Sequence, residues 1–447
     1  MKIFLGLFNI SSLYEEYTKG LTALGHEVYS ADFMQGNDIV GSSATSLPVA
    51  SLIARNLKPG EINDKAQWQF WTEYFLKIAW QKALEADVCI FLWCTFRPDC
   101  SDLAELKSMG KKVIVRFVGN ESRVPALEEQ FNALTGRGNM SFSDAYNLDI
   151  LKKPLNYVRL AEKYADVILG ASLLSLRPTY HDSFMLDHSK VPFDGQQRAK
   201  DPVLLHAPSN AATKGAGQWE RIFAELKAKG LSFTVKQAKG MVHDKFLQQY
   251  AKADINCGGI YHGGKAELEA LAGGAVPLAA SFPWPPHGGT VSNYMRQLAA
   301  ETAQALGYKP GEPEYDVILG KKREVCELKT HYYQLVHHIT PETASAVLQS
   351  TILDYERRKL QALAGRRFIE NYCDPAKVWK DIMQILEDPQ APASHGLLQP
   401  PYFFYKQYKP HDDPRWLLLL NAGTAMVQDC LWYKQYIKPG KRDGLVF

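Results

Sequence analysis

The sequence predicts an α/β protein built on parallel sheet, and three observations carry that reading. Short apolar runs at Val203–His206, Phe233–Gln237, Asp254–Cys257 and Ala275–Ala279 alternate with helical patterns, as βαβ units do. Each run leads into a glycine-rich or polar turn, the place where such a sheet holds its ligands. The amino-terminal half repeats the theme, because the segment ending Ala86–Leu92 and the segment Ala161–Gly170 both read as a helix end followed by a buried strand.

The first element is a strand at Lys2–Phe8. Its apolar stretch, Ile3–Phe8, is shorter than the roughly 7–15 residues of a signal peptide's core, and no small-residue cleavage pattern follows. Asn9-Ile10-Ser11-Ser12 then supplies a turn and helix cap. Tyr14, Tyr17, Leu21 and Leu24 follow helical spacing, and Gly25 ends that helix before a strand at Glu27–Ser30. The turn lacks the G-x-G-x-x-G fingerprint of nicotinamide binding. Helix is expected around Gln67–Glu85, then a central parallel strand at Asp87–Trp93, a helix near Cys100–Met109 and a strand at Lys112–Phe117. Polar residues from His181 to Pro202 form an interdomain connection. Helices are expected at Gln218–Lys229, Arg357–Leu363, Phe368–Tyr372 and Pro375–Leu386, and Pro389–Pro401 is a proline-rich spacer.

Composition narrows the function. A chain of 447 residues accommodates two or three domains. The net charge of +3 gives no general attraction to nucleic acid, and no run approaches the ~18–20 apolar residues of a membrane span. Seven cysteines, an odd number, suit a reducing compartment rather than a disulfide framework. Cys89, Cys94 and Cys100 lack zinc-site spacing and read as structural. No metal site is expected, and the expected location is cytoplasmic. The tail from Pro400 to Phe447 carries seven Lys or Arg, four Asp and ten aromatic residues. Core packing is the favoured reading of those aromatics, and peripheral contact with the inner face of a membrane the alternative.

Two constellations point to chemistry. His206-Ala207-Pro208-Ser209 leads to Lys214-Gly215 and a long helix. A lysine at a helix start puts positive charge and backbone N–H groups where a pyrophosphate needs them. The second constellation runs from Tyr261-His262-Gly263-Gly264-Lys265 through Glu267 and Glu269 to Gly273-Gly274. Gly263 and Gly264 allow close backbone approach to an anion, and the Glu269 carboxylate can accept from two adjacent hydroxyls. Glu267 lies two residues away and so about 200° around a helix. Gly240-Met241-Val242-His243 forms a further turn, with His243 read equally well as a nucleobase neighbour or as an exposed residue opening a helix.

This order resembles the nucleotide-sugar half of GT-B glycosyltransferases, particularly the retaining, Glu-x7-Glu enzymes of bacterial surface glycan synthesis. The resemblance is specific over Val203–Ala280 and loose over Met1–Leu386. It implies two Rossmann-like domains with parallel sheets facing across a cleft: an acceptor domain at 1–197, a nucleotide-sugar domain at 198–375, a crossing helix at 376–388 and an aromatic-rich extension at 389–447. It implies transfer of a hexose from a nucleotide diphospho-sugar to a hydroxyl of a glycan, lipid-linked or protein acceptor, with retention, no metal and no cofactor beyond the co-substrate. Glu269 matches the second Glu, which binds the ribose; Tyr261 stands where the first Glu touches the donor sugar. Catalysis is expected from Lys214, Glu269 and Tyr261, and donor binding from His206, Ser209, Gly215, Gly240, Met241, His243, Gly263, Gly264 and Lys265. Many relatives carry an arginine where this chain has Ser209. Gly119-Asn120-Glu121-Ser122-Arg123 is similar to a turn after the family's fourth strand, which makes Asn120, Glu121 and Arg123, with Asn9, candidates for the cleft or acceptor. The tyrosine at the first Glu position keeps open a non-catalytic accessory protein that binds a nucleotide sugar or glycan. A GT-B epimerase or phosphorylase is a third reading, though no pyridoxal-lysine context is evident.

Overall fold

A computed structural model describes residues 1–10, 13–34, 45–58, 60–61, 64–118, 148–170, 179–180, 185–193, 200–208, 214–238, 241, 243–260, 265–280, 335–388 and 398–399. The chain forms two α/β units, each around a parallel sheet.

The first sheet begins with β1 (Lys2–Leu7), α1 (Leu13–Ala23), β2 (Glu27–Asp32), β3 (Leu47–Pro48), α2 (Val49–Asn56) and α3 (Lys65–Glu85). It continues with β4 (Val88–Leu92), α4 (Ser101–Ser108), β5 (Lys112–Arg116), α5 (Leu148–Tyr164), β6 (Val167–Leu169) and β7 (Thr179–Tyr180). Strand order is β3-β2-β1-β4-β5-β6-β7, parallel throughout, with β13 (Leu398–Gln399) antiparallel at the edge. Central strands are apolar along their whole length because helices cover both faces. Phe4, Phe91, Val113 and Val115 face α3, α4 and α5, while Ile3, Leu5, Ile90 and Ile114 face α1 and the last long helix.

The second sheet comprises β8 (Val203–His206), α6 (Ala216–Ala228), β9 (Thr234–Gln237), α7 (His243–Tyr250), β10 (Ile255–Cys257), α8 (Lys265–Gly273), β11 (Val276–Ala279) and β12 (His337–His338). Helices α9 (Ala344–Leu353), α10 (Tyr355–Tyr372) and α11 (Pro375–Glu387) follow. The order is β9-β8-β10-β11-β12, all parallel. Both sheets therefore have a point where strand order reverses, β1/β4 in the first and β8/β10 in the second, and ligands of open α/β sheets bind outside the carboxyl ends there.

One expectation is corrected. Arg357–Leu363 and Phe368–Tyr372 are not two helices but parts of the single α10. Gly365 does not break it: a side chain there would lie 2.8 Å from Leu271 Cδ2, so the glycine permits close approach of α10 to α8.

Helix α11 starts on Asp374, whose carboxylate accepts from Ala376 and Lys377 N–H, and returns to pack on α1. Trp379 meets Tyr17 edge-on at 4.7 Å, over Gly20. The connection at 185–193 is tied to both units. Leu186 N–H donates to Cys373 O at 2.8 Å, and Arg366 donates to the carbonyls of Val191 and Ala272 at 3.0 and 2.9 Å. On the other side, Lys19 of α1 pairs with Asp187 at 2.5 Å. No helix among the described residues is long and apolar enough to cross a membrane.

Candidate functional site

Several of the candidate residues lie on the elements around the second sheet's reversal point. Strand β8 ends at His206, and Lys214-Gly215 forms the turn into α6. Gly215 takes φ +71°, the left-handed region that glycine tolerates without cost, and sits at the helix N-cap. The turn is bonded to the segment after β10: Ile260 N–H donates to Lys214 O at 3.3 Å, and the Trp219 indole N–H of α6 donates to Gly258 O at 2.7 Å. The Lys214 turn and the approach to α8 are thus held side by side.

Helix α8 is buried from Glu267 through Gly273, because α7, α10 and β11 enclose it. Two carboxylates lie in this buried helix. Glu269 is bonded through Oε1 to His243 Nε2 at 2.9 Å, with the carboxylate side chain 6% exposed. His243 opens α7, so the turn after β9 and the middle of α8 are joined by this pair. Glu267 packs instead beside Gly258, where its Oε1 would be 3.0 Å from an added Cβ. Their combined negative charge, after burial itself, helps push the Tyr250 phenol well above its ordinary pKa.

Lys265, the first residue of α8, reaches across to the first unit and pairs with Glu16 Oε1 at 3.0 Å. The other Glu16 oxygen accepts from Asp187 N–H. Glu15 lies beside this pair, and burial raises its carboxyl above the usual range against the opposing pull of Lys190, Asn9 and Lys265. Its Oε2 is buried and makes no hydrogen bond among the described residues.

The other predicted residues fall as follows. The His206 ring is turned inward, 2% exposed, with Nδ1 2.9 Å from Cys257 O and the rings of Trp219 and Phe223 each 6.3 Å away. It joins β8, β10 and α6 as a packing residue. Met241 is exposed. Asn9, at the carboxyl end of β1, is buried; its Oδ1 accepts from Tyr14 N–H at 3.1 Å and its own N–H donates to Asp32. Ser209, Gly240, Tyr261, Gly263, Gly264, Asn120, Glu121 and Arg123 lie outside the described residues, as does nearly all of the aromatic tail.

Four residues at these loci carry no sequence motif. Glu15 and Glu16 read only as the acidic first turn of α1. Trp93, just past β4 at the first sheet's reversal point, has φ +68°, uncommon for a bulky residue and without a sequence signal. Asp102, fully buried on α4, accepts from Thr95 Oγ1 and Phe96 N–H, both at 2.8 Å, and fixes the loop between β4 and α4.

No protein-family model matches the sequence, and no curated protein aligns with it significantly. Among solved structures the chain is similar to the glycosyltransferase VinC in complex with DTDP, at 14% identity and a TM-score of 0.39, over 87% of this chain and 100% of that one. It is also similar to the pneumococcal O-GlcNAc transferase GtfA in complex with UDP and GlcNAc, at 12% identity and 0.35, over 71% and 60%. A third similarity is to the catalytic domain of starch synthase IV from Arabidopsis thaliana bound to ADP and acarbose, at 11% and 0.34, over 83% and 99%.

Proposed function

We propose that the protein is a glycosyltransferase of the GT-B type that takes a nucleotide diphospho-sugar as donor. The observation that carries the reading is the Lys214 turn bonded beside the segment that leads into α8, the helix that carries Lys265 at its start and Glu269, bonded to His243, in its middle. A nucleoside diphosphate needs a hydroxyl acceptor for its ribose and positive charge for its phosphates, and this set supplies both.

Glu269 accepts from the ribose hydroxyls. Its lone pairs exceed what the single bond to His243 uses, and that bond fixes the carboxylate's orientation. Lys214, Lys265 and the N–H groups at the starts of α6 and α8 face the diphosphate, where they balance the charge that builds as the glycosidic bond breaks. Tyr261 stacks on the donor hexose or bonds one of its hydroxyls, and the Asn9 end of the first unit faces the acceptor. The reaction transfers a hexose with retained configuration and needs no metal ion. The non-catalytic alternative, a protein that only binds the nucleotide sugar, rests on the tyrosine that replaces the family's first Glu.

Thermal denaturation with uridine, guanosine, adenosine and thymidine diphosphates tests the site. A ligand at 100 times its dissociation constant adds about 2.7 kcal/mol of stability. Glu269→Gln should weaken binding about tenfold or more, as hydrogen bonds to charged groups are worth roughly 1.5–3 kcal/mol. No shift with any of the four at millimolar concentration refutes the site. Nucleotide release from a nucleotide-sugar panel, with and without a chelator, then separates enzyme from binding protein.

A further inference from the structure

The lysine that this reading aims at the donor phosphates is held by a carboxylate of the other unit. Lys265 Nζ lies 3.0 Å from Glu16 Oε1, with the two side chains 16% and 6% exposed. Glu16 is fixed in turn, because its second oxygen accepts from Asp187 N–H in the connection between the units. Asp187 is itself anchored by Lys19 and by the hydroxyl of Ser189, at 2.5 and 2.6 Å. Glu15 adds a second carboxylate that interacts electrostatically with Lys265. The positive end of α8 therefore faces two acids across the domain boundary.

We propose that Glu16 opposes donor binding by competing with the diphosphate for Lys265, so that occupancy of the α8 N-terminus exchanges an interdomain ion pair for a lysine–phosphate contact. The inference rests on the donor-site reading above and adds a consequence for it. A phosphate on the far side of Lys265 would stand roughly 6 Å from the Glu16 carboxylate. At that separation, an effective dielectric of about 40–80 gives a repulsion that corresponds to a three- to tenfold change in affinity per unit charge. Exchange also means that donor binding and the α1–α8 contact weaken each other, since coupling between two equilibria is reciprocal.

The test is calorimetric titration of the full-length chain with uridine and thymidine diphosphates. Glu16→Gln keeps an oxygen for Asp187 N–H while removing the charge. It should bind about three- to tenfold more tightly than wild type, with a steeper loss of affinity as salt rises, since the site carries more net positive charge. Lys265→Ala should bind more weakly, and in that background Glu16→Gln should lose at least half of its gain. A merely structural role for Glu16 would not tighten binding or couple to Lys265. If Glu16→Gln fails to fold, Glu16→Asp, which draws the carboxylate back by one methylene, must move affinity in the same direction. Unchanged or weaker binding in Glu16→Gln, with Lys265→Ala weakened, overturns this inference alone. Absence of nucleoside diphosphate binding by the wild-type chain overturns the donor site and this inference together.

Discussion

Replacing Gly20 by alanine tests the joint at which α11 crosses onto the first unit. A β-carbon at that position would lie 2.5 Å from Pro375 O and 2.6 Å from Trp379 Cδ1. The first is backbone and the second belongs to a fully buried ring, so neither can swing aside. Helix α11 must shift by roughly 1 Å, at the 1–3 kcal/mol typical of overpacking a well-filled core. The edge-on pair of Tyr17 and Trp379 opens as well, forfeiting about 0.5–1.5 kcal/mol. Against this, alanine gains about 1 kcal/mol over glycine inside a helix. The expected net loss is about 2 kcal/mol, seen as a lower melting temperature by circular dichroism, by about 4–8 °C for a unit of this size. Gly365→Ala is the internal control. Its nearest contact is the tip of one buried side chain, Leu271 Cδ2 at 2.8 Å, rather than backbone or a ring, so the helix gain offsets part of the crowding and the melting point should fall less than in Gly20→Ala. A Gly20→Ala protein as stable as wild type would refute the packing argument.

Three further outcomes are expected. His337 donates from Nδ1 to Thr351, whose own hydroxyl donates to Val347 O, and its Nε2 accepts from the Gln361 amide at 2.8 Å; this requires the neutral ring, and burial and Arg357 hold its pKa below the ordinary value. The folded state therefore binds fewer protons than the unfolded one, so this contribution is complete above about pH 6.5 and is lost as pH falls through the depressed folded value; His337→Gln should flatten the slope of urea midpoint against pH below 6.5. Trp219→Phe removes the donor to Gly258 O, which should cost about 1–3 kcal/mol for a carbonyl left unpaired and weaken nucleoside diphosphate binding measured calorimetrically. Arg366→Met removes the donors to the Val191 and Ala272 carbonyls and should speed protease cleavage within residues 185–193; an unchanged cleavage rate would show that the connection is held by its other bonds.

Strands were legible to within a residue or two where apolar residues run unbroken, as at Val88–Leu92 and Val276–Ala279, since burial on both faces leaves no other pattern. Helix ends were legible where the chemistry is local, as with Gly25 at φ +82° after α1. Gly365 carries no such local signal: it admits α8 without ending α10, and a glycine that ends a helix looks the same in sequence. In the site, the Lys214 turn and Glu269 stood out through the family resemblance of the segments that hold them. The pairings did not. His243 meets Glu269 across 26 residues, and Glu16 meets Lys265 across 249, separations over which only the folded topology creates proximity.

The indentation at Gly20 also constrains recombination of this chain with relatives. A junction at residue 197, between β7 and β8, looks natural, since it divides the parallel strands of the first sheet from those of the second. Yet α11, encoded after the second sheet, lies on α1 of the first, with Trp379 seated against a surface that only glycine provides. A chimaera crossed once at 197 would pair an α11 from one parent with an α1 from the other. A second crossover between α10 and α11 keeps each helix with its own partner, and the unit then exchangeable between parents ends near Tyr372.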